Sequence, residues 1–121
     1  MDNISSSASK LTILTANVNG FGNDSKRREF YSHIESTQSD ILCLTDTRFD
    51  NYLHRLIENE TDHFCYFNSF QSNARGVAIL VSKTCPIKIL SQHNDASGNL
   101  LWLKCMYEEK FITLMRNIWP K

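Results

Sequence analysis

The sequence predicts an α/β fold built in layers, because its apolar residues change from one repeat to another along the chain. Short β-type runs alternate with two helical stretches in the first half, and only strands follow in the second half. With 121 residues the chain can bury the core of one domain but leaves little room for a second. The predicted order is therefore β-α-β-α followed by a strand meander, an α/β (α+β layered) arrangement.

The fold is expected to start after a Ser-rich leader, residues 1–10, which lacks apolar periodicity and is predicted to be disordered. The next three elements are a strand, a helix and a strand, at residues 11–16, 25–35 and 40–44. Asn23 and Asp24 are suitable N-caps for the helix, and Phe30 and Ile34 give it one apolar face.

A second helix is predicted over residues 51–60, because Asp50 can cap it and Leu53, Leu56 and Ile57 fall on one stripe. Only strands follow, at residues 63–67, 76–82, 87–91, 99–107 and 110–117. The last two are close enough in sequence to form a tight hairpin.

The overall charge gives no reason to expect attraction to nucleic acid or to an acidic membrane. Lys and Arg together number 13, as do Asp and Glu, so the formal net charge is zero. The one dense basic run, residues 26–28, is interpreted as the solvated face of a helix, with a nucleic-acid contact as the alternative.

The four cysteines are interpreted as buried free thiols in a reducing compartment. They stand singly, with no CxxC pair, so the spacing does not favour zinc ligation, whereas a disulfide framework stays open as the alternative. No signal peptide precedes the first apolar run and no segment reaches transmembrane length. We therefore expect an intracellular protein, in the nucleus or the cytoplasm, with no membrane partner.

Polar residues concentrate in two turns that directly follow the first two strands. Asn17 and Asn19 belong to the first turn, and Asp46 and Arg48 belong to the second. If the β-α-β unit is parallel, these four side chains share one cleft at the carboxyl ends of neighbouring strands. One carboxylate with amide oxygens suits Mg²⁺, or Mn²⁺ in its place, and a nearby arginine suits a phosphate oxygen.

A purely structural interpretation of the same residues stays open. Asn-x-Asn-Gly is a common turn, and an aspartate after a strand often caps the following loop. In this interpretation Arg48 pairs with Asp46 or with Asp50. Likewise Arg75, in the turn before Gly76, either contacts phosphate or is solvated.

Four segments, in order, carry a family resemblance. They are L-T-I-L-T-A-N-V-N-G at 11–20, S-D-I-L-C-L-T-D-T-R at 39–48, A-R-G-V-A-I-L-V-S-K at 74–83 and I-T-L-M-R-N-I-W-P at 112–120. Together they resemble endonuclease/exonuclease/phosphatase (DNase I-like) domains. Of these, the apurinic-like endonuclease domains of non-LTR retrotransposons are the most similar, especially in the third segment.

The resemblance implies a Mg²⁺-dependent hydrolysis of DNA phosphodiesters. The metal-binding acid of the family falls on Asp46, where most members have Glu, and its two site residues in the first turn fall on Asn17 and Asn19. Asn17 and Asp46 are thus the catalytic candidates, Asp46 and Asn19 the metal candidates, and Asn17, Arg48 and Arg75 the substrate-binding candidates. The active-site tyrosine of the family falls on Ile118 or Trp119, so the phenol is missing.

The resemblance also implies that residues 11–121 are the N-terminal part of the domain, truncated before the segments that activate the attacking water. The chain is then the first half of a four-layer α/β/β/α sandwich, with one sheet whose inner face is uncovered, and is inactive alone. Such a face would drive self-association or binding of a partner. Two alternatives stay open, a non-catalytic remnant or interaction module, and a phosphatase of the same superfamily.

Overall fold

The computed structural model describes residues 10–69 and 75–117, which form a mixed α/β structure of two sheets and two helices. In chain order the elements are β1 (Ile13–Asn17), α1 (Asp24–Thr37), β2 (Ile41–Thr45), α2 (Asn51–Glu60), β3 (His63–Asn68), β4 (Val77–Ser82), β5 (Lys88–Asn94), β6 (Leu100–Tyr107) and β7 (Lys110–Asn117). The α/β order predicted from the sequence is confirmed. Apart from Lys10, the predicted leader lies outside the described residues.

The first sheet brings the ends of β1 and β2 together. Its strand order is β1-β2-β4-β3, and β1 runs parallel to β2 with Ile13 opposite Ile41 and Asn17 opposite Thr45. The parallel pairing follows from the helical crossover through α1. The remaining pairs are antiparallel. Because β1 is an edge strand and runs parallel to β2, the carboxyl ends of these two strands form one corner of the sheet.

The second sheet is an antiparallel meander in the order β5-β6-β7, and it covers one face of the first sheet. Ile41 and Cys43 of β2 share a buried core with Leu101 and Leu103 of β6. The expectation that the inner face of the first sheet is uncovered is therefore wrong. After β4 the chain crosses over and forms the meander as a second layer. Strand periodicity in the sequence cannot show whether later strands form a second sheet or extend the first one.

The opposite face of the first sheet packs against the helices. Leu42 and Leu44 of β2 share a second buried core with Ile34 of α1 and Ile57 of α2. All of β2 is thus buried, which explains the continuous apolar run at residues 41–44.

Both helices begin at the caps that the sequence indicates. Asn23 accepts a hydrogen bond from the backbone nitrogen of Lys26 at 3.0 Å, and Asp50 accepts one from that of Leu53 at 2.9 Å. The interpretation of the basic run as a solvated face is wrong for Arg27, whose side chain is only 1% exposed. Its guanidinium is buried because it pairs with Glu60 at the end of α2.

The β6–β7 hairpin is the tight turn predicted from the sequence. Tyr107 pairs with Lys110, and the two residues between them, Glu108 and Glu109, have φ of 52° and 66°. Positive φ at both positions is the geometry that matches the twist of a two-residue hairpin.

The four cysteines are free thiols, and Cys43, Cys85 and Cys105 are buried. Cys65 is half-buried, and desolvation raises the pKa of its thiol to about 11. Across residues 10–69 and 75–117, none of the helices has the length and apolar character needed to cross a membrane.

Candidate functional site

The two polar turns meet at the corner of the first sheet where β1 and β2 end. The backbone nitrogen of Val18 donates to the carbonyl of Thr45 at 3.0 Å, and that of Gly20 donates to the carbonyl of Asp46 at 2.7 Å. These bonds extend the parallel pairing beyond the strands. The structure thus brings together the predicted site residues Asn17, Asn19, Asp46 and Arg48.

Arg48 bridges the two turns with its guanidinium. Its Nε donates to Oδ1 of Asp46 at 3.0 Å, and its Nη2 donates to Oδ2 of Asp46 at 2.8 Å and to Oδ1 of Asn19 at 2.9 Å. The hydrogen bond with Asp46 raises the pKa of Arg48 above its usual range. Of the two partners that the sequence left open for Arg48, Asp46 is the one observed.

The other candidates of the first turn lie at the edge of a shallow cavity. Oδ1 of Asn17 accepts a hydrogen bond from the backbone nitrogen of Asn19 at 3.1 Å, which closes a tight local turn. The cavity measures about 380 Å³, and Asn17, Asn19, Lys26 and His33 are among the residues that line it. It is open to solvent and large enough for a phosphate group.

Lys26 lies at the site, although its basic run is interpreted from the sequence as a solvated helix face, with a nucleic-acid contact as the alternative. Its Nζ donates to the carbonyl of Asn19 at 3.2 Å, so its ammonium group lies at the rim of the cavity. One sequence signal indicates this position for Lys26. Asn23 caps α1 only a few residues after the Asn-x-Asn-Gly turn, so the first turn of the helix lies near that turn.

The backbone of the site is strained. Asn19, Asp46, Arg48 and Arg75 have φ of 52°, 57°, 56° and 62°, in the left-handed region that residues other than glycine seldom occupy. Each such conformation costs about 1–3 kcal/mol, and it persists only where the surrounding structure enforces it. Here the backbone bonds between the turns and to the strand that follows residue 75 enforce it.

Gly76 allows the second turn to approach β4 closely. The backbone nitrogen of Thr47 donates to the carbonyl of Gly76 at 3.1 Å, and that of Arg48 donates to the carbonyl of Arg75 at 2.8 Å. Gly76 has a φ of 104°, and a Cβ placed on it would lie 2.4 Å from Oγ1 of Thr47. Only glycine fits both constraints.

Arg75 reaches the site through its backbone. Its guanidinium Nη1 donates to the carbonyl of Ser97 at 3.4 Å, in the loop between β5 and β6. The backbone carbonyl is the part that contacts Arg48. A contact of the Arg75 side chain with substrate stays a prediction.

Solved structures of DNA-processing and related proteins share this architecture. TDP2 of D. rerio, crystallised with a single-strand DNA product, matches with a TM-score of 0.68 and 18% identity, over 87% of this chain and 44% of that one. The AP endonuclease LMAP from Leishmania major matches with a TM-score of 0.68 and 15% identity, over 96% of this chain and 43% of that one. The catalytic domain of human Nocturnin, which holds a sulfate anion, matches with a TM-score of 0.59 and 13% identity, over 87% of this chain and 47% of that one.

This chain has the endonuclease/exonuclease/phosphatase fold. All three structures are members of that fold, as the sequence resemblance implied. The chain spans less than half the length of each of these three proteins. No protein-family model matches the sequence.

The site offers oxygen ligands for a hard divalent cation, but sparsely. The candidates are the carboxylate of Asp46 and the side-chain carbonyls of Asn17 and Asn19. In the part of the chain that the structure describes, no three His, Cys, Asp or Glu residues come close enough together to hold a metal. Mg²⁺ nonetheless often binds through one or two carboxylates, with water and substrate phosphate completing its shell, and this donor set fits that pattern.

Two further positions of the sequence analysis, Ile118 and Trp119, lie outside the described residues. The replacement of the family's tyrosine therefore rests on the sequence alone.

Proposed function

We propose that this chain contributes the metal-holding and phosphate-holding turns of a nuclease that hydrolyses DNA phosphodiesters. The observation that carries the proposal is the convergence of Asp46, Asn19 and Arg48 where β1 and β2 end. The same fold in TDP2, crystallised with a single-strand DNA product, and in an AP endonuclease supports DNA as the substrate class.

Each side chain has a role that its position suits. Asp46 would hold Mg²⁺, or Mn²⁺ in its place, with Asn19 beside it, while Asn17 would bind the metal or orient the phosphate. Lys26 lies at the rim of the cavity and Arg48 is bonded to Asn19 beside it, and both would contact phosphate oxygens. Arg75 would also contact the substrate. When bound, the divalent cation would offset the charge that develops on the leaving oxygen.

The 121-residue chain alone is expected to be inactive. The segments with which the family activates the attacking water have no counterpart in the sequence, and no three His, Cys, Asp or Glu residues of the described part of the chain come close enough together to hold a metal. Activity is therefore proposed for a longer protein that contains this chain.

The test is nicking of supercoiled plasmid by such a longer protein. Asp46→Asn is the variant of choice, because asparagine has nearly the same shape and tolerates the φ of 57° at this position. We expect the nicking rate to fall by about a hundredfold or more. Asp62→Asn, at an exposed position after α2, removes the same charge and should leave the rate unchanged. Equal rates for the Asp46 variant and the unsubstituted protein would refute the proposal.

We further propose that the nuclease is of the retrotransposon type, because residues 74–83 are similar to that group. A phosphatase of the same superfamily is the competing assignment. Comparing hydrolysis of plasmid DNA with that of phosphoinositides and nucleotides separates the two. Hydrolysis of the small phosphate esters but not of plasmid would favour the phosphatase.

A second candidate function is self-association through the outer face of the second sheet. Leu90, Phe111 and Met115 are exposed there by 47%, 76% and 56%. Large exposed apolar side chains on a sheet favour association, and the proposed partner is a second copy of the chain. Sedimentation at micromolar concentration should show a dimer that the double substitution Phe111→Ser, Met115→Ser converts to monomer. A monomeric unsubstituted chain would rule this candidate out.

A further inference from the structure

We propose that Arg48 is a built-in competitor for the cation site, so that a divalent cation binds Asp46 only after the guanidinium has left it. This inference rests on the proposed function, since it concerns the same site. It makes Arg48 a regulator of metal affinity in addition to a phosphate contact.

The geometry supports competition because Arg48 uses the oxygens that a metal would need. Both carboxylate oxygens of Asp46 accept from Arg48, at 3.0 and 2.8 Å, and Oδ1 of Asn19 accepts from it at 2.9 Å. The remaining amide oxygen of the first turn, Oδ1 of Asn17, already accepts from a backbone nitrogen. A metal therefore meets a donor set in which each oxygen already accepts a hydrogen bond and one positive charge lies beside the carboxylate.

Arg48 is the member of the pair that can move. The Asp46 side chain is 24% exposed, and its backbone carbonyl is fixed by the 2.7 Å bond from Gly20. The Arg48 side chain is 37% exposed and is bonded to Asp46 and Asn19, while its backbone nitrogen is anchored separately on the carbonyl of Arg75. The long side chain can thus swing outward without disturbing either turn, which frees the carboxylate.

Both the charge of Arg48 and its hydrogen bonds oppose the binding of a metal. A guanidinium and a divalent cation at one carboxylate repel each other, and a charge-assisted bidentate pair must be broken first. Replacing Arg48 by glutamine removes the charge and the bidentate pair. The expected result is a Kd for the cation lower by about tenfold.

The experiment measures Mn²⁺ binding to the 121-residue chain, with free Mn²⁺ counted by electron paramagnetic resonance at fixed ionic strength. The variants are Arg48→Gln, Arg48→Lys, Arg28→Gln, Asp46→Asn, and Arg48→Gln combined with Asp46→Asn. Arg28 is exposed on α1 and its Nη2 donates to Oγ of Ser25 at 3.5 Å, so its variant removes one positive charge away from the site. Circular dichroism establishes that each variant is folded.

Competition predicts that Arg48→Gln binds Mn²⁺ about tenfold more tightly than the unsubstituted chain. Arg48→Lys, which keeps the charge, should stay near the unsubstituted value, and Arg28→Gln should change the Kd by less than about twofold. The added Asp46→Asn should abolish the gain. Equal or weaker binding by Arg48→Gln, or the same gain from Arg28→Gln, would overturn the inference.

The Mn²⁺ measurement separates a failure of the competition by Arg48 from a failure of the cation site at Asp46. If Mn²⁺ binds the unsubstituted chain through Asp46 and Arg48→Gln changes nothing, the competition fails and the cation site of the proposed function stands. If Mn²⁺ binds neither the unsubstituted chain nor Arg48→Gln, both the competition and the cation site fail.

Discussion

Replacing Glu60 with glutamine removes one charge from a clamp that joins the two helices. Arg27 of α1 donates to Glu60 from Nε at 2.8 Å and from Nη2 at 3.1 Å, and its Nη1 donates to the carbonyl of Phe21 at 3.0 Å. Tyr31 donates to the same carboxylate at 2.8 Å. The start of α1 is thus held against the end of α2.

The cost of the substitution follows from how deeply the two partners are buried. Breaking a fully buried ion pair by removing one partner costs about 3–5 kcal/mol. Here Arg27 is 1% exposed but Glu60 is 29% exposed, so water reaches the carboxylate side. Glutamine also keeps one acceptor oxygen, and Arg27 keeps its ion pair with Asp24. We therefore expect the free energy of unfolding to fall by about 1–3 kcal/mol.

The loss should depend on pH with a definite sign. The hydrogen bond from Arg27, more than any other contact, holds the pKa of Glu60 below its usual range. A carboxyl whose folded pKa is lowered stabilises the fold fully above its unfolded pKa of about 4.3, and this contribution is lost as the pH falls through the folded pKa. The difference in stability between the unsubstituted chain and Glu60→Gln should therefore shrink from pH 7 towards acid.

Urea unfolding followed by circular dichroism measures both effects. Glu58→Gln is the matched control, since Glu58 is exposed on the same helix and the substitution removes the same charge. Equal stability of Glu58→Gln and Glu60→Gln at pH 7 would refute the reasoning. So would a loss in Glu60→Gln that stays constant into the acid range.

Two substitutions where the second turn contacts the start of β4 should differ in their effect on stability, as measured by urea unfolding. Gly76→Ala should cost about 2 kcal/mol or more, because the new Cβ meets Oγ1 of Thr47 at 2.4 Å at a φ of 104°. Gly22→Ala, whose Cβ meets only Cδ1 of Leu53 at 3.9 Å, is its control and should be nearly neutral. Thr47→Val should be neutral or stabilising by up to about 1 kcal/mol, because the buried Thr47 hydroxyl has no hydrogen-bond partner among the described residues. A loss as large as that of Gly76→Ala would contradict this.

The elements could be predicted from the sequence because each has a local signal. Asn23 and Asp50 cap the helices through contacts three residues away, and residues 41–44 of β2 are all apolar because two cores bury them. No local sequence signal indicates the second layer or the burial of Arg27. Arg27 and Glu60 are separated by 33 positions, so nothing near Arg27 in the sequence distinguishes it from its exposed neighbour Arg28.

The site could be predicted as a set of residues but not as a set of contacts. Asp46 and Asp50 are equally distant from Arg48 in sequence, and the sequence therefore left both pairings open. The structure separates them because Asp50 caps α2, whereas left-handed φ values at Asp46 and Arg48 turn the two side chains towards each other. Backbone strain at residues other than glycine is set by tertiary contacts, which a single sequence does not display.

Charge is balanced over the two turns and the cavity beside them, and this balance predicts how the chain should respond to DNA. Arg48 and Lys26 supply two positive charges, while Asp46 and Glu29 supply two negative charges, and the whole chain has a formal net charge of zero. Affinity for a phosphate backbone depends on unpaired positive charge. The chain by itself should therefore bind DNA weakly, and a bound divalent cation should supply the missing charge.

Fluorescence anisotropy of a labelled single-strand oligonucleotide tests this balance. Affinity should rise when Mg²⁺ replaces a chelator at matched ionic strength, and Asp46→Asn should abolish that rise if Asp46 holds the cation. Removing the charge of Asp46 also unpairs Arg48, so this variant should bind DNA somewhat more tightly than the unsubstituted chain in chelator. Affinity that is equal in Mg²⁺ and in chelator for the unsubstituted chain would show that its contact with DNA, if any, lies away from these turns.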